Sequence, residues 1–470
     1  MASNQASVAL KPLDQWLERI ERMHSRPIDL GLERVREVFE RLDVQLPGVK
    51  FIVGGTNGKG STCAMLESIL LAAGFRVGCY TSPHLLRFNE RARIDGVAVG
   101  DEALVEQFEA VEAVRGETGL TYFEFTTLAI LRLFASQPLD ALVLEIGLGG
   151  RLDAVNIVEP DCALITSIDV DHADFLGDSR ERIGWEKAHI MRAGRPAICS
   201  DPQPPASVLE HAAEIGADLW LFGRDFNYAG DRQQWSYGGR HQRRNSLAYP
   251  ALRGANQLLN ASGVLAALEA VRDRLPVSAQ AVRKGFALVD IPGRFQVLPG
   301  RPTVILDVAH NPHAAAHLAR NLESMGFFPV TFAVFGMLAD KDIDAVIGHM
   351  KRVVDHWICC SLPGPRGSSA QDLAARLRAA GIEDVVDAKA GIETSVVCVP
   401  TPAEGLAIAR GRAGENDRIL VFGSFLTVAD ALDANAPGPV EQTPVSSGTV
   451  PVSDAGSAAG QPVVPGSRNT

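Results

Sequence analysis

The sequence has few cysteines, few aromatic residues and no surplus of positive charge. Seven cysteines occur among 470 residues, and no two of them have the spacing of a zinc-binding pair. We therefore expect neither a disulfide framework nor a zinc site, but free thiols buried in apolar strands. The cysteines expected in such strands are Cys79, Cys162, Cys199, Cys359, Cys360 and Cys398. The formal net charge of −11 argues against binding to nucleic acid.

Long hydrophobic runs are absent as well. No apolar stretch approaches the length that spans a bilayer, and residues 1–15 lack the apolar segment of a signal peptide. We therefore predict a cytoplasmic protein with no membrane-spanning segment. The length of 470 residues and the hydrophobic content of 46% predict two or three domains with a large core.

The stretch from Val49 to Ala73 predicts a strand, a glycine-rich loop and a helix. Loop residues 54–61 combine glycines, which free several N–H groups to face one anion, with the positive end of the following helix dipole. Lys59 adds a point charge for phosphate, and the hydroxyl of Ser61 suits a hydrated Mg²⁺ ion. Two positions depart from the usual phosphate-loop pattern, so an ordinary glycine-rich turn stays an alternative. ATP binding is the favoured interpretation.

Polar residues follow several predicted strands. Residues 81–85 leave one strand, Glu145 ends another, and His172 comes just after a third. Ligands bind at the carboxyl ends of strands in open α/β sheets, and Glu145 stands where a carboxylate beside Mg²⁺ is expected. The alternative for Glu145 is a cap on a neighbouring turn. Residues 87–91 could equally hold a planar ligand or form a solvated face, and Lys187 by itself indicates only a helix lysine.

Alternating β and α patterns predict two doubly wound domains. We expect an N-terminal, mostly parallel α/β domain of the phosphate-loop type over residues 1–293, and a smaller Rossmann-like α/β domain over 294–433. Residues 434–470 have the composition of a disordered tail. Locally, Asp29 is predicted to cap a helix, and residues 231–245 form an irregular polar stretch.

Several blocks of residues together resemble the folylpolyglutamate synthase family, in particular its bacterial bifunctional members, within the Mur ligase superfamily. The resemblance covers residues 13–432. The blocks that carry it, in order along the chain, are residues 28–32, 55–61, 81–85, 145–154, 171–172 with 186–188, 292–295 and 307–312.

The resemblance implies a role for individual residues. The residues implied to bind ATP are Thr56, Asn57, Gly58, Lys59, Gly60, Ser61, Asn256, Arg294 and Asp307. Those implied to hold two Mg²⁺ ions are Ser61, Ser82, Glu145 and His172. Those implied to line a pterin or folate pocket are Asp29, Leu30, Gly31, Tyr122, Phe123, Glu124, Phe125, Leu152, Asp153 and Ala154. The glutamate end would include His310 and Ser424, and the catalytic set would be Lys59, Lys187, His172 and His310. Lys187 is implied to be carbamylated to N6-carboxylysine.

The family resemblance also implies the reaction. A monomeric ATP-dependent ligase would add L-glutamate to 7,8-dihydropteroate and to the γ-carboxylate of reduced folates, through an acyl phosphate. Two alternatives stay in the same class, namely only one of these activities or a Mur-type ligase with another acceptor, such as a UDP-muramoyl peptide. A third is a nucleotide-binding regulatory module without turnover. Residues 29–31 and 81–84 favour a folate acceptor.

Overall fold

A computed structural model describes residues 12–434 except 27, 232, 255, 383–384, 388–391 and 395. The predicted tail therefore lies almost wholly outside the described residues. Within the described part of the chain, no helix is both long enough and apolar enough to cross a membrane.

The structure alternates helices and strands along most of its length. Up to residue 145 the elements are α1 (Pro12–Glu21), α2 (Glu33–Leu42), β1 (Val49–Gly54), α3 (Lys59–Ala72), β2 (Val77–Tyr80), β3 (Ala92–Ile94), β4 (Val97–Ala98), α4 (Asp101–Arg115), α5 (Tyr122–Ala135) and β5 (Ala141–Glu145). From there to residue 288 they are β6 (Cys162–Ile165), α6 (Ala173–Leu176), α7 (Arg180–Ala188), β7 (Pro196–Cys199), α8 (Ala206–Ile215), β8 (Asp218–Leu221), β9 (Asn227–Gly230), β10 (Trp235–Gly238), β11 (Arg243–Leu247), α9 (Gln257–Ala270) and α10 (Ala279–Leu288).

The remaining elements form the second α/β region. They are β12 (Gln296–Leu298), β13 (Thr303–Asp307), α11 (Pro312–Ser324), β14 (Thr331–Phe335), α12 (Ile343–Met350), β15 (His356–Cys360), α13 (Ala370–Ala379), β16 (Val385–Asp387), β17 (Ile392–Thr394), β18 (Val396–Val399), α14 (Pro402–Arg412), β19 (Arg418–Phe422) and α15 (Phe425–Asp433). Two short 3₁₀ helices, Phe88–Arg91 and Ala154–Ile157, lie in the first region.

The first sheet has eight strands in the order β4-β3-β2-β5-β1-β6-β7-β8. Six neighbouring strands of this sheet, β2, β5, β1, β6, β7 and β8, are parallel. Strands β3 and β4 extend the sheet beyond β2 and are antiparallel. Successive side chains of each buried strand point to opposite faces of the sheet, so both faces are apolar and helices cover both. In β1, Phe51 and Val53 pack towards α3, α9 and α10, whereas Ile52 packs towards α1, α4 and α5.

Helix α3 is the central element of this first region. Nearly all its residues from Ser61 to Leu70 are buried, so it has no polar outer face. A helix that is apolar on all sides belongs inside a fold. Its first turn is therefore held rigidly at the carboxyl end of β1, which fixes the glycine-rich loop between them.

The second sheet has six strands in the order β12-β13-β19-β14-β15-β18. All neighbouring pairs are parallel except β12 with β13. Helices α11, α12 and α13 cover one face, and α14 and α15 cover the other. The predicted fold class, two doubly wound α/β regions of which the second is smaller, is confirmed. The boundary at residues 293/294 stays a prediction.

Three local predictions are wrong. Asp29 does not cap a helix: α2 begins four residues later, after Leu32, and the Asp29 carboxylate binds Arg34 instead. Residues 231–245 are not irregular, because they contain β10 and part of β11 of a three-stranded antiparallel sheet. All seven cysteines are free, but Cys398 is exposed rather than buried, since it lies on β18 at the sheet edge.

Candidate active site

A cavity of about 680 Å³ lies where the carboxyl ends of strands from both sheets meet. It brings together most of the residues singled out in the sequence. Those that line it are Asp29, Leu30, Thr56, Asn57, Gly58, Lys59, Gly60, Ser61, Ser82, Phe123, Glu124, Glu145, Leu152, Asp153, Ala154, His172, Lys187, Asn256, Arg294, Asp307, His310 and Ser424.

Three of the sequence-predicted residues lie outside the lining of this cavity, namely Gly31, Tyr122 and Phe125. Phe125 is fully buried and packs against Trp16 and Phe108 in the core. Tyr122 lines a separate, shallower cavity beside α1. On helix α5, Phe123 and Glu124 thus face the cavity. Tyr122 and Phe125 point elsewhere, because successive residues of a helix face different directions.

The glycine-rich loop wraps tightly around the start of α3. Gly55 has a φ of +145°, and a Cβ atom there would lie 1.8 Å from Thr166 Oγ1. Gly58, the residue before α3, also has a positive φ of 93°. Glycine is therefore required at both positions, and the resulting turn leaves the backbone N–H groups of the first helical turn facing the cavity.

Two lysine ammonium groups meet at one backbone carbonyl of this loop. Lys59 Nζ donates to Gly55 O at 3.1 Å, and Lys187 Nζ, from α7, donates to the same oxygen at 2.9 Å. Burial of Lys187, together with the charge of Lys59, lowers its pKa to about 7. A substantial share of this side chain is consequently a neutral amine near neutral pH.

Glu145, at the end of β5, is a buried carboxylate beside the loop. Its Oε2 atom accepts a hydrogen bond from the backbone N–H of Ser82 at 3.1 Å. Burial raises the pKa of Glu145, and the charge of Lys59 and the bond from Ser82 oppose that shift. The side chain can therefore carry a negative charge that a cation would stabilise.

The proposed Mg²⁺ ligands fit the preferences of the ion only in part. Mg²⁺ takes oxygen ligands and keeps several waters, and the carboxylate of Glu145 and the hydroxyls of Ser61 and Ser82 supply oxygen. His172 offers nitrogen instead. Within the described part of the chain, no group of three or more His, Cys, Asp or Glu side chains could hold a metal. An ion at this end would thus depend on water and nucleotide phosphates for most of its ligands.

A chain of hydrogen bonds joins the two sheets across the cavity. Asn57 Nδ2, from the glycine-rich loop, donates to Asn311 Oδ1 at 3.4 Å, and Asn311 Nδ2 donates to Asp171 Oδ2 at 3.1 Å. The other oxygen of Asp171 accepts from Lys341 Nζ at 2.9 Å. His310 Nε2 lies 3.9 Å from the same carboxylate. The loop after β6, which contains Asp171, is therefore held against cavity residues of the second sheet.

Asp171 gains strong stabilisation of its charge from these neighbours. Burial raises its pKa, but charge interactions with His172 and Lys341 and the hydrogen bond from Lys341 bring that pKa well below the ordinary aspartate value. Burial lowers the pKa of His172 and of His310 to about 4 in each case. Both imidazoles are thus neutral at pH 7. The Nδ1 of His310 contacts Val308 O at 2.8 Å, which leaves Nε2 turned to the cleft.

Residues of the second α/β region also line the cavity. Asp307 accepts hydrogen bonds from the backbone N–H of Phe295 at 2.9 Å and of Ala309 at 2.8 Å. The guanidinium carbon of Arg294 lies 5.0 Å from the ring centre of Phe425, within the range of a cation–π contact. Ser424 caps α15 by accepting from the N–H of Leu426 at 3.2 Å.

Asn256 precedes α9 and faces α11 across the cavity. Its Nδ2 atom lies 2.8 Å from His317 Nε2. His317 also lines the cavity, one helical turn beyond His313, and burial lowers its pKa to about 4. The neutral ring and the Asn256 amide are thus adjacent polar groups in the cavity lining.

A second part of the cavity lining, which we call the distal end, comprises Asp29, Leu30, Phe123, Glu124 and Leu152. Arg34 ties two of these together, since Nη1 lies 2.8 Å from Asp29 Oδ2 and Nη2 lies 3.0 Å from Glu124 Oε1. Phe123 packs so close to Gly147 that a Cβ atom there would lie 2.5 Å from its ring. A flat, partly polar ligand suits this combination of one aromatic ring and fixed polar groups.

The structure adds residues that the sequence patterns did not single out. Lys341 follows β14 at the carboxyl edge of the second sheet, so the strand-end rule applied to Glu145 and His172 would also have found it. Asp171 and Asn311 stood inside recognised blocks without a role of their own. Arg34 carried no signal, because a lone arginine on an amphipathic helix usually faces solvent.

Comparison with known proteins follows the same division of the chain. The family model of the Mur ligase middle domain matches residues 53–268, and that of the Mur ligase glutamate ligase domain matches residues 293–425. The dihydrofolate synthase/folylpolyglutamate synthase of Escherichia coli strain K12 is 44% identical over 426 residues, covering 90% of this chain and 96% of the relative.

Solved structures give the same result. Escherichia coli FolC in complex with DHPP and ADP superposes with a TM-score of 0.84 at 43% identity, over 90% of this chain and 98% of that chain. A bifunctional folylpolyglutamate synthase/dihydrofolate synthase with Mn, AMPPNP and L-glutamate bound superposes with a TM-score of 0.81 at 43% identity, over 90% and 98% of the two chains. Sequence, domain models and fold agree, and the chain therefore belongs to the dihydrofolate synthase/folylpolyglutamate synthase family of the Mur ligases.

Proposed function

We propose that this protein is an ATP-dependent ligase that adds L-glutamate to 7,8-dihydropteroate and to the γ-carboxylate of reduced folates. One observation carries the proposal: a single cavity joins a phosphate loop to a distal end suited to a flat ligand and to basic groups of the second sheet. The relatives named above, one with DHPP and ADP and one with AMPPNP and L-glutamate, bind ligands of these kinds.

The chemistry requires an activated carboxylate. The γ-phosphoryl group of ATP transfers to an oxygen of the pterin-side carboxylate, which yields an acyl phosphate and ADP. The α-amine of glutamate then attacks the acyl carbon and loses a proton, and phosphate leaves as the amide forms. Phosphoryl transfer depends on positioning and on neutralising charge, which we assign to Lys59, Arg294 and the N–H groups that begin α3.

A divalent cation, when bound, neutralises charge on the phosphates. Glu145, Ser61 and Ser82 are the oxygen donors that we assign to it, with His172 beside them. We assign the adenine contact to Asn256, and contacts from the other side of the nucleotide to Arg294 and Asp307.

Glutamate would bind on the side of the second sheet. Lys341 lies beside Asp171 and near His310, and Ser424 lines the same wall. A carboxylate that approaches Lys341 would share this ammonium group with Asp171, and the positive charge of Lys341 would favour its binding. Because Nδ1–H of the neutral His310 ring donates to Val308 O, its Nε2 atom presents a lone pair that can accept a hydrogen bond from the incoming amine.

We further propose that Lys187 is carbamylated. Its neutral amine can attack CO₂, so that an N–C bond forms, a proton leaves and a carbamate anion remains. The positive charge of Lys59, which lies beside it, would stabilise the carbamate anion, whereas it destabilises the ammonium form of Lys187. The test is ¹³C NMR of the protein in labelled bicarbonate, with Lys187→Ala as control. A carbamate signal in the native protein that is lost in the variant is expected, and identical spectra would refute the assignment.

The proposed function is tested by release of phosphate with dihydropteroate and with tetrahydrofolate, measured side by side. We expect release that needs both the pterin substrate and glutamate. Turnover with only one of the two pterins would restrict the enzyme to one activity, and turnover only with a UDP-muramoyl peptide would replace the folate assignment. Nucleotide binding without turnover would indicate the regulatory alternative. Monomeric state and cytoplasmic location stay predictions of the sequence.

A further inference from the structure

Arg93, on strand β3 between β2 and β4, forms an ion pair that is largely shielded from water. Its partner Glu67 lies in α3, two turns beyond the phosphate loop. Arg93 Nε donates to both carboxylate oxygens at 3.1 and 3.0 Å, and Nη2 donates to Oε2 at 2.7 Å. The two side chains are only 22% and 8% exposed. The contact is therefore bidentate and largely shielded from water.

The rest of the guanidinium holds a different element. Nη1 donates to Thr81 Oγ1 at 3.3 Å and to Glu90 O at 3.1 Å, and Nη2 also contacts Cys79 Sγ at 3.2 Å. A guanidinium has five N–H groups in a fixed fork, and here each has an acceptor within reach. Arg93 thus binds α3 on one side and both ends of the loop 81–90 on the other.

That loop carries the backbone group that holds Glu145. The Ser82 N–H donates to Glu145 Oε2, and Ser82 directly follows the Thr81 that Arg93 anchors. At the other end of the loop, the Glu90 carboxylate accepts from the N–H of Leu85 at 2.6 Å, which closes the loop on itself. The position of Ser82 relative to the phosphate loop therefore depends on a link between loop 81–90 and α3.

We propose that Arg93 is a positioning residue: clamped by Glu67, it fixes loop 81–90 against the phosphate-loop helix, so that Ser82 and Glu145 stay aligned for a divalent cation and ATP. This inference rests on the proposed function for its catalytic consequence. Lysine cannot replace Arg93, because its three N–H donors lie on one nitrogen at the end of a flexible side chain and cannot bind α3 and loop 81–90 at the same time. This positioning role is separate from a contribution to folding stability, because apolar side chains could replace the ion pair without unfolding the protein.

The experiment compares the full-length native protein with Arg93→Met, Arg93→Lys and the double variant Glu67→Met/Arg93→Met. Affinity for Mn²⁺ in the presence of AMPPNP is measured by electron paramagnetic resonance, and exchange of the amides in residues 81–91 by mass spectrometry. We expect Mn²⁺ affinity to fall about 10–100-fold in all three variants, as for other groups that orient a ligand. Metal-free ADP affinity should stay unchanged, and the loop amides should exchange faster.

The double variant keeps the test valid if Arg93→Met alone unfolds, because it leaves no unpaired buried charge. Arg76→Met is the matched control, since Arg76 pairs with Asp95 at an exposed position of the same hairpin. A folded double variant with native Mn²⁺ affinity and native loop exchange would overturn the proposal, as would an equal loss in Arg76→Met. If the native protein makes no product, the proposed function fails, whereas both measurements still decide the role of Arg93.

Discussion

The two ends of the cavity handle charge in opposite ways. At the phosphate loop, the ammonium groups of Lys59 and Lys187 both donate to one oxygen, that of Gly55. At the distal end, a single guanidinium, that of Arg34, lies between the carboxylates of Asp29 and Glu124. One end brings like charges together, and the other pairs its charges internally.

The difference indicates what each end can bind. Crowded cations favour an anion and destabilise the protein without one, so the loop end suits phosphate groups. Paired charges at the distal end add little net attraction, so a ligand there must be selected by shape and by hydrogen bonds. We expect substitutions at the loop end to change stability and turnover, and substitutions at the distal end to change substrate affinity.

Replacement of Lys187 should give the largest effect on stability. Its pKa falls from 10.5 to about 7 on folding, which corresponds to at most about 5 kcal/mol of unfavourable free energy. Lys187→Met should therefore raise the free energy of unfolding while abolishing turnover. The unfolded chain binds more protons between these two pKa values, so native stability rises with pH across that window and the advantage of the variant fades.

Urea unfolding in CO₂-free buffers at about pH 6, 8 and 10 checks this dependence. The control is Lys284→Met, which removes an exposed lysine. An advantage of Lys187→Met that stays constant or grows with pH would contradict the assigned direction of the pKa shift.

Lys59→Ala should give the next largest effect. Loss of one preorganised charge on the transferring phosphoryl group costs about 3–4 kcal/mol of transition-state stabilisation, or roughly 10²–10³-fold in kcat. The measurement is steady-state turnover with a circular dichroism check of folding. Lys50→Ala is the control, because Lys50 lies at the start of β1, the strand before the glycine-rich loop, and pairs with Asp161. Near-native turnover in folded Lys59→Ala would remove the phosphate role.

At the distal end, Arg34→Met should raise KM for the pterin substrate and leave KM for ATP unchanged. The substitution removes the guanidinium group that links Asp29 to Glu124. Charge-assisted hydrogen bonds of this kind contribute about 1.5–3 kcal/mol. We therefore expect an increase of about 10–100-fold in KM for dihydropteroate. Arg36→Met, on the exposed face of the same helix, is the matched control. Equal changes in both KM values would show that the two ends are not independent.

Removal of residues 434–470 should have the smallest effect. The segment has no periodic apolar residues, so we expect a change within about 0.5 kcal/mol of unfolding free energy and unaltered kcat. Thermal melts and turnover of the truncated chain give the answer. A marked loss of either would mean that the segment docks on the folded part.

Much of the loop end could be predicted because its residues are contiguous. A strand, a glycine-rich turn and a helix occupy one short stretch around Lys59, and the strand-end rule located Glu145 and His172. The distal end could not be predicted from spacing, since Asp29 precedes α2, Arg34 lies in α2 and Glu124 lies in the distant helix α5, so the three meet only after packing. The family resemblance named Asp29 and Glu124 but gave no role to Arg34, which joins them.

The wrong predictions have physical causes too. Asp29 has the residue type of a helix cap, but tertiary pairing with Arg34 takes its carboxylate and α2 begins later. Residues 231–245 are polar because β9, β10 and β11 form a small sheet with one solvated face, and among the described residues of this stretch only Trp235 and Tyr237 belong to the core. Polarity alone does not separate such strands from a loop.

The distribution of cysteines has a practical consequence. Six of the seven thiols are buried, and burial raises the pKa of each, which makes them poor nucleophiles. Cys398 alone among them is exposed, on β18 at the edge of the second sheet. The natural sequence therefore offers one attachment point for a maleimide dye. A fluorophore placed there would follow the second sheet during catalysis without any engineered substitution.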